Sequence, residues 1–421
     1  MTVNDQSKGR IWASDHSSAR PRFARDPELT GDARPGSERC PALARPLCNG
    51  EQHCHQSSVM SRREMTVEPY GPGGGPRDLA DAARLESQAK ETKGTDAMMN
   101  QVYRDEDVNL DAVRDKVIAV LGYGIQGRAW ALNLRDSGLK VIVGDESRTD
   151  KFAADDGWEV LSFAEATEQA DVVCLLVADP AQPAVYEEAI GPNLSPGKSL
   201  VFAHGFNIVY GLIEAPPDVN VGLFVPNGPG HVVREKYLAG SGIYGAVAVE
   251  QDATGDALQI VLAVSKGLGS TRVGVVEVDF CSETEGDNFE EQVLYGGTIA
   301  LMRATFEVMV ANGYPPYFAY AKAIRSLRSV VDVMDDLGIE EYISRRSSRT
   351  CEFAVRMTGP RVINRDEIEK VFAQTARGEF AADWMTEWQR GMMRLHRMRR
   401  TGAASEMEQV GTKWRAMFSE G

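Results

Sequence analysis

Apolar residues along this chain follow two rhythms, preceded by a stretch that has neither. From Val117, short apolar runs alternate with stretches of helical spacing. They are VIAVLG (117–122), a helix over about 126–137, KVIVG (140–144), a helix over about 150–156, and DVVCLLV (171–177). SLVFAHG (199–205), VGLFVP (221–226) and GAVAVE (245–250) continue the series. A helical pattern over 257–268 then precedes TRVGVVEVDF (271–280), which supplies a last strand. Strands alternating with helices of about ten residues predict a parallel sheet with helices on both faces.

After about residue 280 the strand rhythm stops. Residues 283–335 and 365–421 carry apolar positions at helical spacing, as in GGTIALMRATFEVMVANG. Gly313 ends one helix and Pro315-Pro316 opens the next. Phe306, Met309 and Tyr314 are expected in the core of this region. Residues 1–97 mix Pro, Gly, Ser, Arg and Asp without period and include the breaker cluster YGPGGGP (70–76). Such a segment buries too little apolar surface to offset its ordering entropy, so it reads as a disordered tail. The expected organisation is tail (1–97), α/β dinucleotide-binding domain of the Rossmann type (98–279) and all-helical domain (280–421).

Composition narrows the partners. The 421 residues hold 46 Lys+Arg against 61 Asp+Glu, a net charge of −15. That argues against a phosphate-backbone partner, because nucleic-acid binders concentrate positive charge. No run approaches 18 uninterrupted apolar residues, so no membrane span is expected. Six cysteines are too few for a disulfide scaffold at this length. Cys174 sits inside an apolar run as a small hydrophobe, and a reduced, cytoplasmic protein is the simplest reading. Cys40, Cys48, His53, Cys54 and His55 are zinc-type ligands lying close together, but their spacing matches no ligand pattern.

The first chemistry-bearing motif is Gly122-Tyr123-Gly124-Ile125-Gln126-Gly127, between a strand and a helix. In that context GxGxxG binds a dinucleotide. The first glycine allows the tight turn, the second lets pyrophosphate approach backbone N–H groups, and the third allows close helix–strand packing. The helix N-terminus favours the phosphate charge. Asp145 follows the next strand, 23 residues after Gly122, where a carboxylate binds the ribose hydroxyls of NAD. Ser147, Arg148 and Thr149 would instead hold the extra phosphate of NADP, and both readings stay open.

From about residue 99 to the end, the chain resembles ketol-acid reductoisomerase. The resemblance rests on GYGIQGRAWALNLRDSGLKVIVG (122–144), FAHGFNI (202–208), GPGHVVR (228–234), ETEGDNFEEQ (283–292), TGPRVI (358–363) and GEFAADW (378–384). It implies a Rossmann domain followed by a knotted helical domain, a dimeric or larger assembly, NADP or NAD, and two Mg²⁺ ions. The family rearranges a 2-hydroxy-2-alkyl-3-keto acid and reduces the resulting 2-keto acid. Two hard cations suit an alkyl shift between adjacent oxygen-bearing carbons. By resemblance, Asp287 and Glu291 match the metal-bridging pair, four apart on one helical face. Glu283 matches an upstream acidic residue of that site, and Ser348 or its neighbour Ser347 matches a serine on the substrate carboxylate. His204 matches the histidine of the loop near the nicotinamide. Taken alone, an Asp/Glu pair four apart is usually a solvated helix face and a histidine after a buried strand is usually structural. His204 gains weight from standing at a strand's C-terminal end. His231 lies in a similar loop and is assigned no chemistry.

The departures are as informative. Where the family carries a later glutamate pair, this chain has Lys322 and Ser326, and Asn227 replaces a lysine before GPGH. Lys has no acceptor and Ser is a poor Mg²⁺ ligand. The stretch from Glu291 to Gly296-Gly297 is also one residue short, and one residue turns a helix by about 100 degrees. At most one Mg²⁺ is therefore expected. Lys322, with Arg325, is expected to face Glu283, Asp287 and Glu291, either orienting substrate or neutralising orphaned carboxylates. The reading ranked first is an NAD(P)H-dependent reductase of a 2-keto acid or a related carbonyl or imine. A complete reductoisomerase acting on an acetohydroxy acid ranks second, and a non-catalytic cofactor-binding module third. A homodimer is expected.

Overall fold

A computed structural model describes residues 101–146 and 151–418. The expected tail, the Cys/His cluster within it, and Ser147, Arg148 and Thr149 lie outside the described residues. Nine strands form one sheet: β1 (Val102–Tyr103), β2 (Val117–Leu121), β3 (Lys140–Gly144), β4 (Val160–Leu161), β5 (Val172–Leu175), β6 (Ser199–Phe202), β7 (Asn220–Pro226), β8 (Gly245–Gln251) and β9 (Val275–Glu277). Their order is β1-β9-β8-β7-β6-β5-β2-β3-β4. The pairs from β4 across to β7 are parallel, as is β8 with β9. However, β8 runs antiparallel to β7, and β1 antiparallel to β9. The sheet is therefore mixed, correcting the all-parallel expectation. Periodicity reports which residues are buried; it does not report strand direction, which is set by how each connection returns.

The central strands bury both faces, as parallel strands covered by helices do. Ile118 and Val120 enter one core cluster and Ala119 and Leu121 the other. Trp130, on the helix Ile125–Asp136, fills the first face with Phe224, their ring centroids 5.5 Å apart. Ala166, Ile190 and Phe280 fill the second. Cys174 is fully buried in β5, and burial pushes its thiol up to about 12.

Beyond β9 the chain is helical. Phe280–Ala311 forms one continuous helical run, opened by Asp279, whose side chain accepts from the Ser282 N–H at 2.8 Å. This run is long and apolar enough, by length and composition, to cross a membrane, contrary to the count of uninterrupted apolar residues. Its first half nevertheless carries Glu283, Asp287 and Glu291 and packs back on the sheet domain through Phe280. Gly313, with φ +85°, follows the end of the run, and Pro316 opens the next helix behind Pro315. The helical half has a small core of its own around Phe306, Tyr320 and Met407, with Met309 packed against it. Tyr314 is half exposed, stacked on Phe318, which corrects its expected place in the core.

Candidate active site

The glycine motif is shaped by contacts that only glycine tolerates. Gly122 has φ +95°, and a Cβ there would lie 2.9 Å from the Val177 nitrogen. At Gly127 a Cβ would lie 1.8 Å from the Gly122 carbonyl oxygen. Gly124, the N-cap of Ile125–Asp136, faces open space. The outer glycines thus close the turn, and the middle one leaves room above uncapped helical N–H groups. The loop follows β2, beside β5, where the order of connections reverses and α/β folds bind dinucleotides. Gly230, in the GPGH loop, packs against the same helix start, where a Cβ would come within 1.9 Å of the Ile125 carbonyl oxygen. Gln126 joins the two loops, its Nε2 donating to the Gly228 carbonyl at 3.0 Å, while its Oε1 is buried without a partner. The open cradle, the N-terminal N–H groups and this spare acceptor fit a dinucleotide.

Tyr123 and Asp145 brace the loop. The Tyr123 N–H donates to Asp145 Oδ2 at 2.7 Å, so that carboxylate is engaged with the glycine turn. The Tyr123 hydroxyl donates to Asp156 at 2.9 Å and accepts from Trp158 Nε1 at 2.7 Å. Arg128 closes the network with two bonds to Asp156, at 2.5 and 2.9 Å.

A second cluster forms where the loops after β5 and β6 meet the acidic helix Phe280–Glu290. His204 Nδ1 lies 2.8 Å from Asp179 Oδ2, and Nε2 lies 3.6 Å from Asp287 Oδ2. Gly205 allows this approach, since a Cβ there would lie 2.2 Å from Thr284 Oγ1 and 3.0 Å from the Phe280 ring. Asp179, His204 and Phe206 from the sheet half, with Asn288, Glu291, Phe380 and Trp384 from the helical half, line a cleft of about 290 Å³. The structure therefore brings His204, Glu283, Asp287 and Glu291 to one place.

Charge crowding there is severe. Burial alone would lower the pKa of His204, but the Asp179 hydrogen bond, with Asp287 and Glu283 nearby, pushes it up to about 9. Burial pushes Glu283 up to about 7, against the attraction of His204, and Asp287 adds to the rise. Burial raises Asp287 and Glu291 as well, each with help from neighbouring carboxylates. Glu283 Oε2 is buried without a hydrogen-bond partner. These are hard oxygen donors short of positive charge. Yet among the described residues no three carboxylate, imidazole or thiol groups converge to hold a metal ion. One chain thus offers donors of the right chemistry for Mg²⁺ in an incomplete set.

Lys322 and Ser348 are not part of this cluster. Within the described residues Lys322 forms no ion pair with Glu283, Asp287 or Glu291, and its ammonium sits 5.4 Å over the Phe318 ring. The expectation that Lys322 faces those carboxylates fails within a single chain, because its helical segment packs on Gly296–Ala311 rather than on Phe280–Glu290. Ser326 Oγ donates to the Ala321 carbonyl at 3.3 Å. Ser348 caps the helix Arg349–Thr358, accepting from the Cys351 N–H at 3.1 Å, and Ser347 Oγ donates to the Ile343 carbonyl at 2.7 Å. Widened π-helical turns occupy Glu291–Tyr295, Ala321–Arg325 and Tyr342–Arg346, at or beside Glu291, Lys322 and Ser347. Such turns shift helical register locally and recur at functional sites.

Asp179, Phe380 and Trp384 were missed from sequence. An acidic residue just past the C-terminal end of a central strand is the signal that marks Asp179. The aromatics lie inside the GEFAADW stretch, where the family resemblance was the available signal.

The comparisons cover both halves. Residues 112–274 match the family described as acetohydroxy acid isomeroreductase, NADPH-binding domain, and residues 280–420 match ketol-acid reductoisomerase, C-terminal domain. A ketol-acid reductoisomerase (NADP(+)) from Caldivirga maquilingensis is 43% identical over 328 residues, which is 77% of this chain and 100% of that one. One from Pyrobaculum calidifontis is 44% identical, covering 76% of this chain and 99% of its own. A solved NADH-preferring ketol-acid reductoisomerase from an uncultured archean is 38% identical with a TM-score of 0.73, over 76% of this chain and 99% of that one.

Proposed function

This chain belongs to the ketol-acid reductoisomerase family, an NAD(P)-dependent oxidoreductase, and from that premise we propose that it carries out the full two-stage reaction. An acetohydroxy acid such as 2-acetolactate undergoes the alkyl shift, and the resulting 2-keto acid accepts hydride at its carbonyl carbon and a proton at its oxygen. The observation that carries this reading is the match across both domains, which takes in nearly the whole length of relatives bearing that name. It outranks the reductase-only reading first drawn from sequence.

The nicotinamide, when bound, supplies the hydride. Gly122, Gly124 and Gly127, with the N-terminus of Ile125–Asp136, would hold its pyrophosphate, and the choice between NADP and NAD falls to the segment after β3. Mg²⁺, when bound, supplies Lewis acidity. Asp287 and Glu291 would hold it, with the remaining ligands from outside the chain, namely substrate oxygens, water or a second copy. His204 Nε2 faces this region and orients a substrate oxygen. Glu283, titrating near neutrality, holds or gives up a proton at Oε2.

A homodimer completes the picture. In the most apolar window of Phe280–Ala311 only 6% of residues are buried, and Leu294, Ile299, Leu301 and Val308 stand exposed. A patch of that kind needs cover, and a second copy, in the cytoplasm, is the occupant we assign. A second reading, a reductase without the rearrangement, rests on Lys322 and Ser326 standing where carboxylates are expected.

Oxidation of NADH and NADPH with 2-acetolactate and with 3-hydroxy-3-methyl-2-oxobutanoate, each with and without Mg²⁺, tests the proposal. Mg²⁺-dependent turnover of 2-acetolactate is expected. Turnover of the second compound alone would replace this reading with the reductase, and turnover of neither would overturn both.

A further inference from the structure

Behind His204 lies a buried polar chain that the reaction as proposed does not use. Gln182 is 3% exposed and Asn207 is fully buried. Gln182 Nε2 donates to the Val177 carbonyl at 2.8 Å and to Asp179 Oδ1 at 3.3 Å. Asn207 Nδ2 donates to the Asp179 carbonyl at 3.0 Å and to Gln182 Oε1 at 2.8 Å. The loops after β5 and β6 are thereby tied together, and both the backbone and one carboxylate oxygen of Asp179 are held. The other oxygen, Oδ2, meets His204 Nδ1 at 2.8 Å. Buried amides cost free energy unless they are hydrogen-bonded, and here Gln182 and Asn207 bond each other and Asp179 in a line that ends on the site histidine, leaving Asn207 Oδ1 buried without a partner.

We propose that Asp179 is a positioning residue for His204, with Gln182 and Asn207 as its supports. A carboxylate only accepts, so the Asp179 contact places a proton on His204 Nδ1 and fixes the ring plane. Nε2 is then the atom turned toward Asp287, 3.6 Å away, buried and without a hydrogen-bond partner of its own. A half-turn of the ring about χ2 would present the carbon Cε1 there instead, with no capacity to hold a substrate oxygen. Asp179 itself lines the cleft, but its role is exerted through the imidazole. The inference deepens the proposed function and rests on that reading of the cleft.

The test compares Asp179→Leu, Asp179→Asn and Gln182→Leu in the full chain. The leucine at 179 keeps the branched shape and removes both acceptors, whereas the asparagine keeps one acceptor oxygen for Nδ1–H and gives up the weaker bond from Gln182. Asp179→Leu is expected to lower kcat by about 10–100-fold, the scale seen when a residue orienting a site ligand is removed, with NADH or NADPH Kd within about twofold. Asp179→Asn should recover most of the loss, and Gln182→Leu should fall between. Independently of turnover, the His204 Nδ1–H signal in ¹⁵N-histidine-labelled protein should persist in Asp179→Asn and vanish in Asp179→Leu. If Asp179→Leu does not fold, loss of that signal in Gln182→Leu supports the proposal and its persistence overturns it. Unchanged kcat in Asp179→Leu, equal impairment of the leucine and asparagine variants, or an Nδ1–H signal surviving in the leucine variant would each overturn it. A wild-type protein without turnover would overturn the proposed function while leaving the spectroscopic arm to decide on Asp179.

Discussion

The sheet half and the helical half bury their apolar residues to very different degrees. From Ile118 to Leu121 and from Val172 to Leu175 every residue is 0% exposed. In the apolar window of Phe280–Ala311 only 6% of the residues are buried. The sheet half completes its core within one chain, and its cofactor cradle is set by contacts between neighbouring strands and loops. The helical half presents exposed apolar faces and a half-buried carboxylate cluster that His204 neutralises only in part. A site on the first kind of scaffold is shaped when the chain folds; one on the second kind is left with oxygen donors short of positive charge.

The sharpest test of self-sufficiency is Gly127→Ala. The added Cβ would lie 1.8 Å from the Gly122 carbonyl oxygen, which is backbone and has no side chain to swing aside. Overpacking of this kind costs about 1–3 kcal/mol and at times more, and dinucleotide Kd should rise by about 100-fold in a fluorescence titration. A variant with wild-type affinity would show that the cradle is looser than its contacts imply.

Legibility from sequence follows the same divide. Short apolar runs such as KVIVG announce themselves, and Lys140–Gly144 is the observed strand. The glycine motif is legible because its outer glycines answer local steric demands and the middle one leaves open space. The two-residue strands β1 and β4 carry too little pattern to be seen, and the antiparallel return of β8 is a matter of connection. His204 and the acidic helix were marked by residue type and family resemblance, but Asp179 was not. Its meaning arises only when the loops after β5 and β6 meet, 25 residues apart in sequence. Lys322 shows the converse: its residue type suggested a partner for the carboxylates, and its helix carries it elsewhere.

The acidic cluster gives a pH prediction of intermediate size. His204 is held up to about 9 against an ordinary 6.5, and Glu283 up to about 7 against 4.5. In both cases the folded state binds the proton more tightly than the unfolded chain. The associated stability is therefore complete at low pH and is lost as pH rises. The Glu283 share disappears between about 4.5 and 7, and the His204 share between about 6.5 and 9. The groups interact, so their joint contribution is on the order of 2–3 kcal/mol. Metal-free protein should lose roughly 4–8 °C in Tm between pH 5 and pH 9, and Glu283→Gln should flatten the lower part of that fall. Mg²⁺ should flatten it too, by favouring ionised carboxylates. A Tm that climbs with pH across this range would remove the crowded cluster as an electrostatic unit.

The smallest expected effect, and the one that most directly probes the unfinished half, is that of Lys322→Met. Within one chain the Lys322 ammonium rests over Phe318 at a partly exposed site, a contact worth about 0.5–1 kcal/mol. Methionine keeps most of the apolar contact, so chemical denaturation should detect a loss below about 1 kcal/mol, and kcat should stay within about twofold. A fall in kcat of tenfold or more, with that small change in stability, would mean that Lys322 acts where its own chain does not take it, on the carboxylates of a second copy. The helical half would then be completed by a cation in trans, and the same substitution should raise the Mg²⁺ affinity of the assembly, since an ammonium and a divalent ion compete for the same oxygens.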